Sequence, residues 1–213
     1  MPITIFKLVL ALVSGYILGS VNTSIIAGNI YGENVRMKGS GNAGLTNTLR
    51  VLGPKAAMIV FAGDVLKGVL ACLLGYVLTA GEFGSEHIVD FANPNLGLLL
   101  AGTSCIFGHI FPVFFQFKGG KGVLTAATVV FIMDWRLGAI SLGLFVVVLL
   151  ITGYVSVGSI VAAIGLPIAS LILEKPRYSM VYAIAIALLI IITHRKNIGR
   201  LLSGTEPKQK FGK

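Results

Sequence analysis

Long apolar runs leave this chain few ways to fold. Residues 3–30, 55–80, 95–117, 137–153, 155–173 and 178–193 each come near or exceed the roughly 20 residues a helix needs to cross a hydrocarbon core. With 55% of its 213 residues hydrophobic and 12% charged, the chain departs far from a soluble average. The expectation is an all-α, polytopic transmembrane helix bundle forming a single domain over residues 1–213. A further apolar stretch, residues 122–133, is too short for a comfortable span and crosses only if the bilayer thins or neighbouring helices shelter its ends. The count is therefore about seven, with five or six as alternatives. Lys7 and the run after it also fit a signal peptide, but the run is long for one and leads straight into a polar block.

The formal charge of +9 raises nucleic acid as a partner, yet the Lys and Arg residues cluster beside apolar segments and form no continuous basic stripe. No nucleic acid is expected; membrane lipid is. With seven spans, one side holds Arg36, Lys38, Arg50, Lys118, Lys121 and a tail with Arg195, Lys196, Arg200, Lys208, Lys210 and Lys213. The other holds Glu82, Glu86, Asp90, Asp134 with Arg136, and Glu174 with Lys175 and Arg177. Basic loops stay cytoplasmic, which puts the N-terminus outside, the C-terminus inside and three polar blocks on the cytoplasmic face. Cys72 and Cys105 lie inside apolar runs as small hydrophobes and report no disulfide framework.

The first block, Gly39-Ser40-Gly41-Asn42-Ala43-Gly44, precedes a segment able to start a helix. Glycines can turn backbone N–H groups toward one point, and a helix N-terminus adds partial positive charge, which suits phosphate. Arg50 can add a bidentate charge. A plain turn with Ser40 or Asn42 as N-cap explains the same residues. The second block, Lys118-Gly119-Gly120-Lys121-Gly122, opens the short apolar stretch, where an anion would satisfy the N–H groups of a helix start. Its competitor is a flexible turn whose lysines meet anionic headgroups. In the third block His194, Asn197 and Arg200 share a broad helix face, as catalytic groups or as interfacial residues snorkelling beside Arg195 and Lys196. Ser156 and Ser159 fall at the remaining inside turn.

Asp64 and Lys67, three residues apart within a span, read as a mutually neutralising structural pair. His109 reads as a buried hydrogen-bonding residue beside a proline break, since no second metal ligand has suitable spacing. Neither a zinc signature nor a Gly-x-Ser-x-Gly elbow is present. A transporter of phosphate esters would use similar loops, but its helix breaks belong near the midplane in each of two halves.

Three motifs in order, Gly39 to Asn47, Gly108-His109-Ile110-Phe111-Pro112 with Phe117 to Gly122, and His194 to Leu201, resemble the signatures of the bacterial integral-membrane glycerol-3-phosphate acyltransferases that use acyl phosphate. The resemblance covers nearly the whole chain; Ala43 stands where the family often has proline. It implies transfer of a fatty acyl group from acyl phosphate to the 1-hydroxyl of glycerol 3-phosphate, at the cytoplasmic face of the inner membrane, without cofactor or metal. It implies donor binding by Gly119, Gly120, Lys121 and Gly122. Ser40, Arg50, Ser159, His194 and Asn197 would hold the glycerol phosphate and reacting centre, while Asn42, Thr46 and Asn47 shape the first loop. His194 or a substrate phosphate oxygen would serve as base. The His-x4-Asp pair of other acyltransferases is absent, because Gly199 occupies the fifth position after His194.

Overall fold

A computed structural model describes residues 2–80 and 96–209; Glu82, Glu86, Asp90, Lys210 and Lys213, used above to orient the chain, lie outside the described residues. All regular elements among the described residues are helical, in two compact units, residues 1–133 and 134–213.

The first unit contains α1 (Pro2–Ser20), α2 (Thr23–Ile30), α3 (Leu45–Leu52), α4 (Pro54–Thr79), α5 (Leu96–Ile110), a 3-10 turn (Val113–Phe115) and α6 (Val123–Met133). The first apolar run is broken at Val21 and Asn22. Asn22 starts α2 by accepting the Ile25 N–H at 3.1 Å, so a buried polar residue re-satisfies the backbone inside a greasy segment. Helices α1 and α5 meet backbone to backbone: a Cβ added at Gly15 would overlap the Ala101 carbonyl, one at Gly19 the Cys105 carbonyl, and one at Gly108 the Tyr16 carbonyl. Small residues at such seams let dispersion act over a close approach where lipid removes any hydrophobic drive between helices. Gly75 and Gly97 join α4 to α5 in the same way. Cys72 and Cys105 are buried free thiols.

The second unit contains α7 (Trp135–Thr152), α8 (Val155–Ile172), α9 (Arg177–Thr193) and α10 (Arg195–Leu202). Asp134 caps α7, accepting the Arg136 N–H at 2.9 Å, and forms an ion pair with Lys175 between α8 and α9. Burial raises its carboxyl, but hydrogen bonds from Lys175 and Arg136 and the Lys175 charge prevail and hold it below the usual range.

Large apolar side chains remain exposed along whole helix faces, including Phe6, Val13 and Ile17 on α1, Phe61, Leu66 and Val77 on α4, and Val147, Leu150 and Ile151 on α7. Faces of this kind belong in lipid. Five helical segments are long and apolar enough to cross a membrane, or six if α9 and α10, bent by 57° at His194, form one span. The stretch flagged as short is the eleven-residue α6. Five to six is thus the number that length and composition support.

Candidate active site

In the first unit, the first glycine block folds around Asn47. Its Oδ1 accepts the Ser40 N–H at 2.8 Å, and its Nδ2 donates to the carbonyls of Val35 at 2.7 Å and Lys38 at 3.1 Å. Gly39 and Gly41 adopt φ of 61° and 72°, the left-handed region that favours glycine, so the loop can double back over the amide. The helix start is not capped by Ser40 or Asn42: the N-cap is Gly44, without a side-chain hydrogen bond. A cap therefore does not account for the polar side chains of this block. Asn42 and Thr46 are half-buried at the start of α3, and Arg50 stands exposed in its last turn.

The second block lies against the first. A Cβ placed on Gly120 would overlap both the His109 Nε2 and the Ala43 carbonyl, so only glycine fits there. The Gly119 N–H bonds the Ile110 carbonyl and the Gly120 N–H the His109 carbonyl, both at 3.1 Å. The amides of Gly119 and Gly120 tie the loop to the end of α5 and are not unsatisfied donors at the start of α6. Gly122 turns the chain into α6 with φ of 79°; Lys121 is half-buried and Lys118 exposed.

Beneath this loop, Asp64 and Lys67 form the expected pair at 2.9 Å, both buried. Sequence did not indicate that His109 joins them, with its Nδ1 2.9 Å from Lys67 Nζ.

In the second unit, His194 sits at the bend between α9 and α10, 2% exposed. Its Nδ1 lies 2.7 Å from the Ile190 carbonyl, which can only accept, so Nδ1 carries a proton, and when the ring is neutral its lone pair is on Nε2. That is the tautomer a general base requires. Asn197 Nδ2 and Ser156 Oγ each donate to Glu206 Oε1 at 2.7 Å, and Arg200 Nε donates to Oε2 at 2.7 Å. Partial burial raises the Glu206 carboxyl, but these hydrogen bonds and the Arg200 charge outweigh it and hold Glu206 below its ordinary range. Glu206 is the residue that sequence reasoning missed. Its one signal is a lone acid among Lys208, Lys210 and Lys213. Ser159 is buried, its hydroxyl returned to the Val155 carbonyl at 2.9 Å.

Each unit therefore carries a polar cluster with buried, oriented side chains in an otherwise apolar helical scaffold. A family model described as glycerol-3-phosphate acyltransferase matches residues 9–204. The chain belongs to the glycerol-3-phosphate acyltransferase family. A glycerol-3-phosphate acyltransferase of Thermoanaerobacter sp. (strain X514) is 41% identical over 202 residues, covering 94% of each chain. Glycerol-3-phosphate acyltransferase 2 of Bacillus anthracis is 43% identical over 202 residues, covering 94% of this chain and 98% of its own. Among solved structures, PlsY (YgiH), an integral membrane glycerol 3-phosphate acyltransferase, superposes with a TM-score of 0.83 at 36% identity over 96% of both chains in its glycerol 3-phosphate form. Its lysophosphatidic acid form gives 0.80 at the same identity. The family resemblance read from the three motifs is thereby established, and the chain is a membrane-embedded acyltransferase enzyme of phospholipid synthesis. The phosphate-ester transporter is set aside.

Proposed function

We propose that the enzyme moves a fatty acyl group from acyl phosphate to the 1-hydroxyl of glycerol 3-phosphate, releasing 1-acylglycerol 3-phosphate and inorganic phosphate. The observation carrying this reading is the pair of forms known for the 36%-identical PlsY, glycerol 3-phosphate and lysophosphatidic acid, which differ by one acyl group. The donor assignment is supported by the second block, where the start of α6 opens beside Lys118 and Lys121. A helix start with adjacent lysines favours a phosphate head group, while the acyl tail suits the apolar surroundings.

The hydroxyl oxygen attacks the acyl carbonyl carbon, the bond from that carbon to the phosphate oxygen breaks, and phosphate departs with its negative charge balanced by Lys121. The hydroxyl proton passes to His194 Nε2 or to a substrate phosphate oxygen. Ser40 and Arg50 bind phosphate of the acceptor, with Arg50 supplying a planar fork for two oxygens. Asn197 and Ser159 orient hydroxyl groups, and Asn42, Thr46 and Asn47 keep the first loop in shape. The chain acts as one domain in the bacterial inner membrane. Its seven membrane segments are the five long ones together with α6 and α9, with the N-terminus outside and the polar blocks facing the cytoplasm.

Purified protein in detergent, given glycerol 3-phosphate and either palmitoyl phosphate, acyl-CoA or acyl carrier protein, tests the donor. Turnover is expected with palmitoyl phosphate alone and inhibition with excess inorganic phosphate. Efficient turnover on acyl-CoA without a phosphate donor overturns the assignment. Single cysteines at Gly39 and Ser203 test orientation: both should react with reagents confined to the cytoplasmic side, and labelling from opposite sides defeats the common face.

A further inference from the structure

Beneath the two glycine blocks lies a charged network to which the reaction chemistry above gives no part. Asp64 Oδ1 takes hydrogen bonds from Lys67 at 2.9 Å and from Thr23 Oγ1 at 3.0 Å. Lys67 Nζ also donates to the Val21 carbonyl at 3.0 Å and lies 2.9 Å from His109 Nδ1. An ammonium has three donors and no acceptor, and these three partners use all of them. Nδ1 of His109 must therefore accept. The Asp64 carboxylate, 3.6 Å from Nδ1, is beyond hydrogen-bond reach. The ring is consequently neutral with its proton on Nε2, and Nε2 is the edge that abuts the Gly120 α-carbon where it meets the Ala43 carbonyl. The His109 carbonyl holds the Gly120 N–H from the same residue.

We infer that Asp64, Lys67 and His109 are positioning residues for the second glycine block: the buried pair fixes the imidazole orientation and tautomer, and His109 fixes where the loop lies against Ala43 of the first block. Buried charge within a span is costly, and a structural pair alone needs no third, proton-sharing member aimed at a loop. The network thereby sets the placement of the α6 start and of Lys121. The inference rests on the reading of this block as the donor site, and its test separates the two.

The test uses full-length protein in detergent, hydrogen–deuterium exchange of residues 117–124 with α9 as internal reference, and the two Michaelis constants. His109→Ala should speed exchange in the loop about tenfold, because the imidazole edge that packs against Gly120 is removed, with α9 unchanged. The KM for palmitoyl phosphate should rise while that for glycerol 3-phosphate stays. His109→Gln, which keeps a planar polar group of similar reach packed against Gly120, should restore much of both. If His109→Ala also loosens α9, the neutral double variant Asp64→Asn with Lys67→Met decides, since replacing both members of a buried pair avoids stranding one charge. Faster loop exchange with a raised KM for glycerol 3-phosphate instead supports positioning and removes the donor assignment. Unchanged loop exchange in the folded variants overturns the positioning role whatever the kinetics.

Discussion

Asn197 donates its Nδ2 to Glu206 at 2.7 Å, while its own Oδ1 is buried with no hydrogen-bond partner among the described residues. A carboxylate can only accept, so Glu206 determines which end of the amide faces it and which end is offered elsewhere. A buried acceptor held open in this way is the feature expected of a group kept for a substrate hydroxyl. Asn197→Asp should then be worse than Asn197→Ala, because it sets two carboxylates against each other. Thermal midpoints in detergent check this: the Asp variant should fall further, and both should lose most activity.

Glu206 also gives a pH dependence. Its folded-state carboxyl is held below the ordinary range, so the stability it contributes is complete above that range and is lost as pH falls through the lowered value. Glu206→Gln should be less stable than the parent at neutral pH, by about 2 kcal/mol from losing charge-assisted hydrogen bonds. Unfolding curves of the two proteins should converge in acid. Parallel curves from neutral to acid pH would falsify the linkage.

How much of this was legible beforehand differs by kind of interaction. Hydropathy located nearly every helix, because lipid-facing side chains must be apolar whatever their neighbours. It missed the break at Val21 and Asn22, since both flanks are equally greasy and only the capping Asn22 marks the turn. The motifs named the loops, but not that the Gly119 and Gly120 amides are already bonded, which depends on α5 ending beside them. Asp64 and Lys67 were readable as neighbours on one helix. His109, 42 residues from Lys67, and Glu206, nine from Asn197 across a helix end, were brought in by tertiary folding and left no local period.

With Nδ1 donating to the Ile190 carbonyl, the His194 ring when neutral carries its lone pair on Nε2. His194→Ala should lower kcat by roughly a hundredfold or more if it takes the hydroxyl proton. Near-normal turnover in single-turnover assays removes it from the reaction and leaves a substrate phosphate oxygen as base.

Arg50 is exposed at the end of α3, its guanidinium without an ion-pair partner among the described residues. Arg50→Ala should lose most activity and raise the KM for glycerol 3-phosphate. Arg50→Lys should recover little of it, because a point charge does not reproduce a two-oxygen fork. Full recovery by lysine would show that charge alone suffices.

Two glycines of the motifs should behave oppositely. Gly120→Ala forces a methyl group into His109 and the Ala43 carbonyl and should cost about 1–3 kcal/mol, with loss of activity. Gly199 is exposed within α10 with nothing within 4 Å of an added Cβ, so Gly199→Ala should keep activity and raise the midpoint slightly. Thermal scans of the two variants side by side decide the matter.

The contact between α1 and α5 has a consequence for traffic. Where Gly15, Gly19 and Gly108 bring the main chains of these helices together, no side chains stand between them to swing aside. An alkyl tail cannot thread that seam, as a gate of leucines would allow, without prising two backbones apart. The seam between these two helices is therefore closed to alkyl chains, of substrate and product alike.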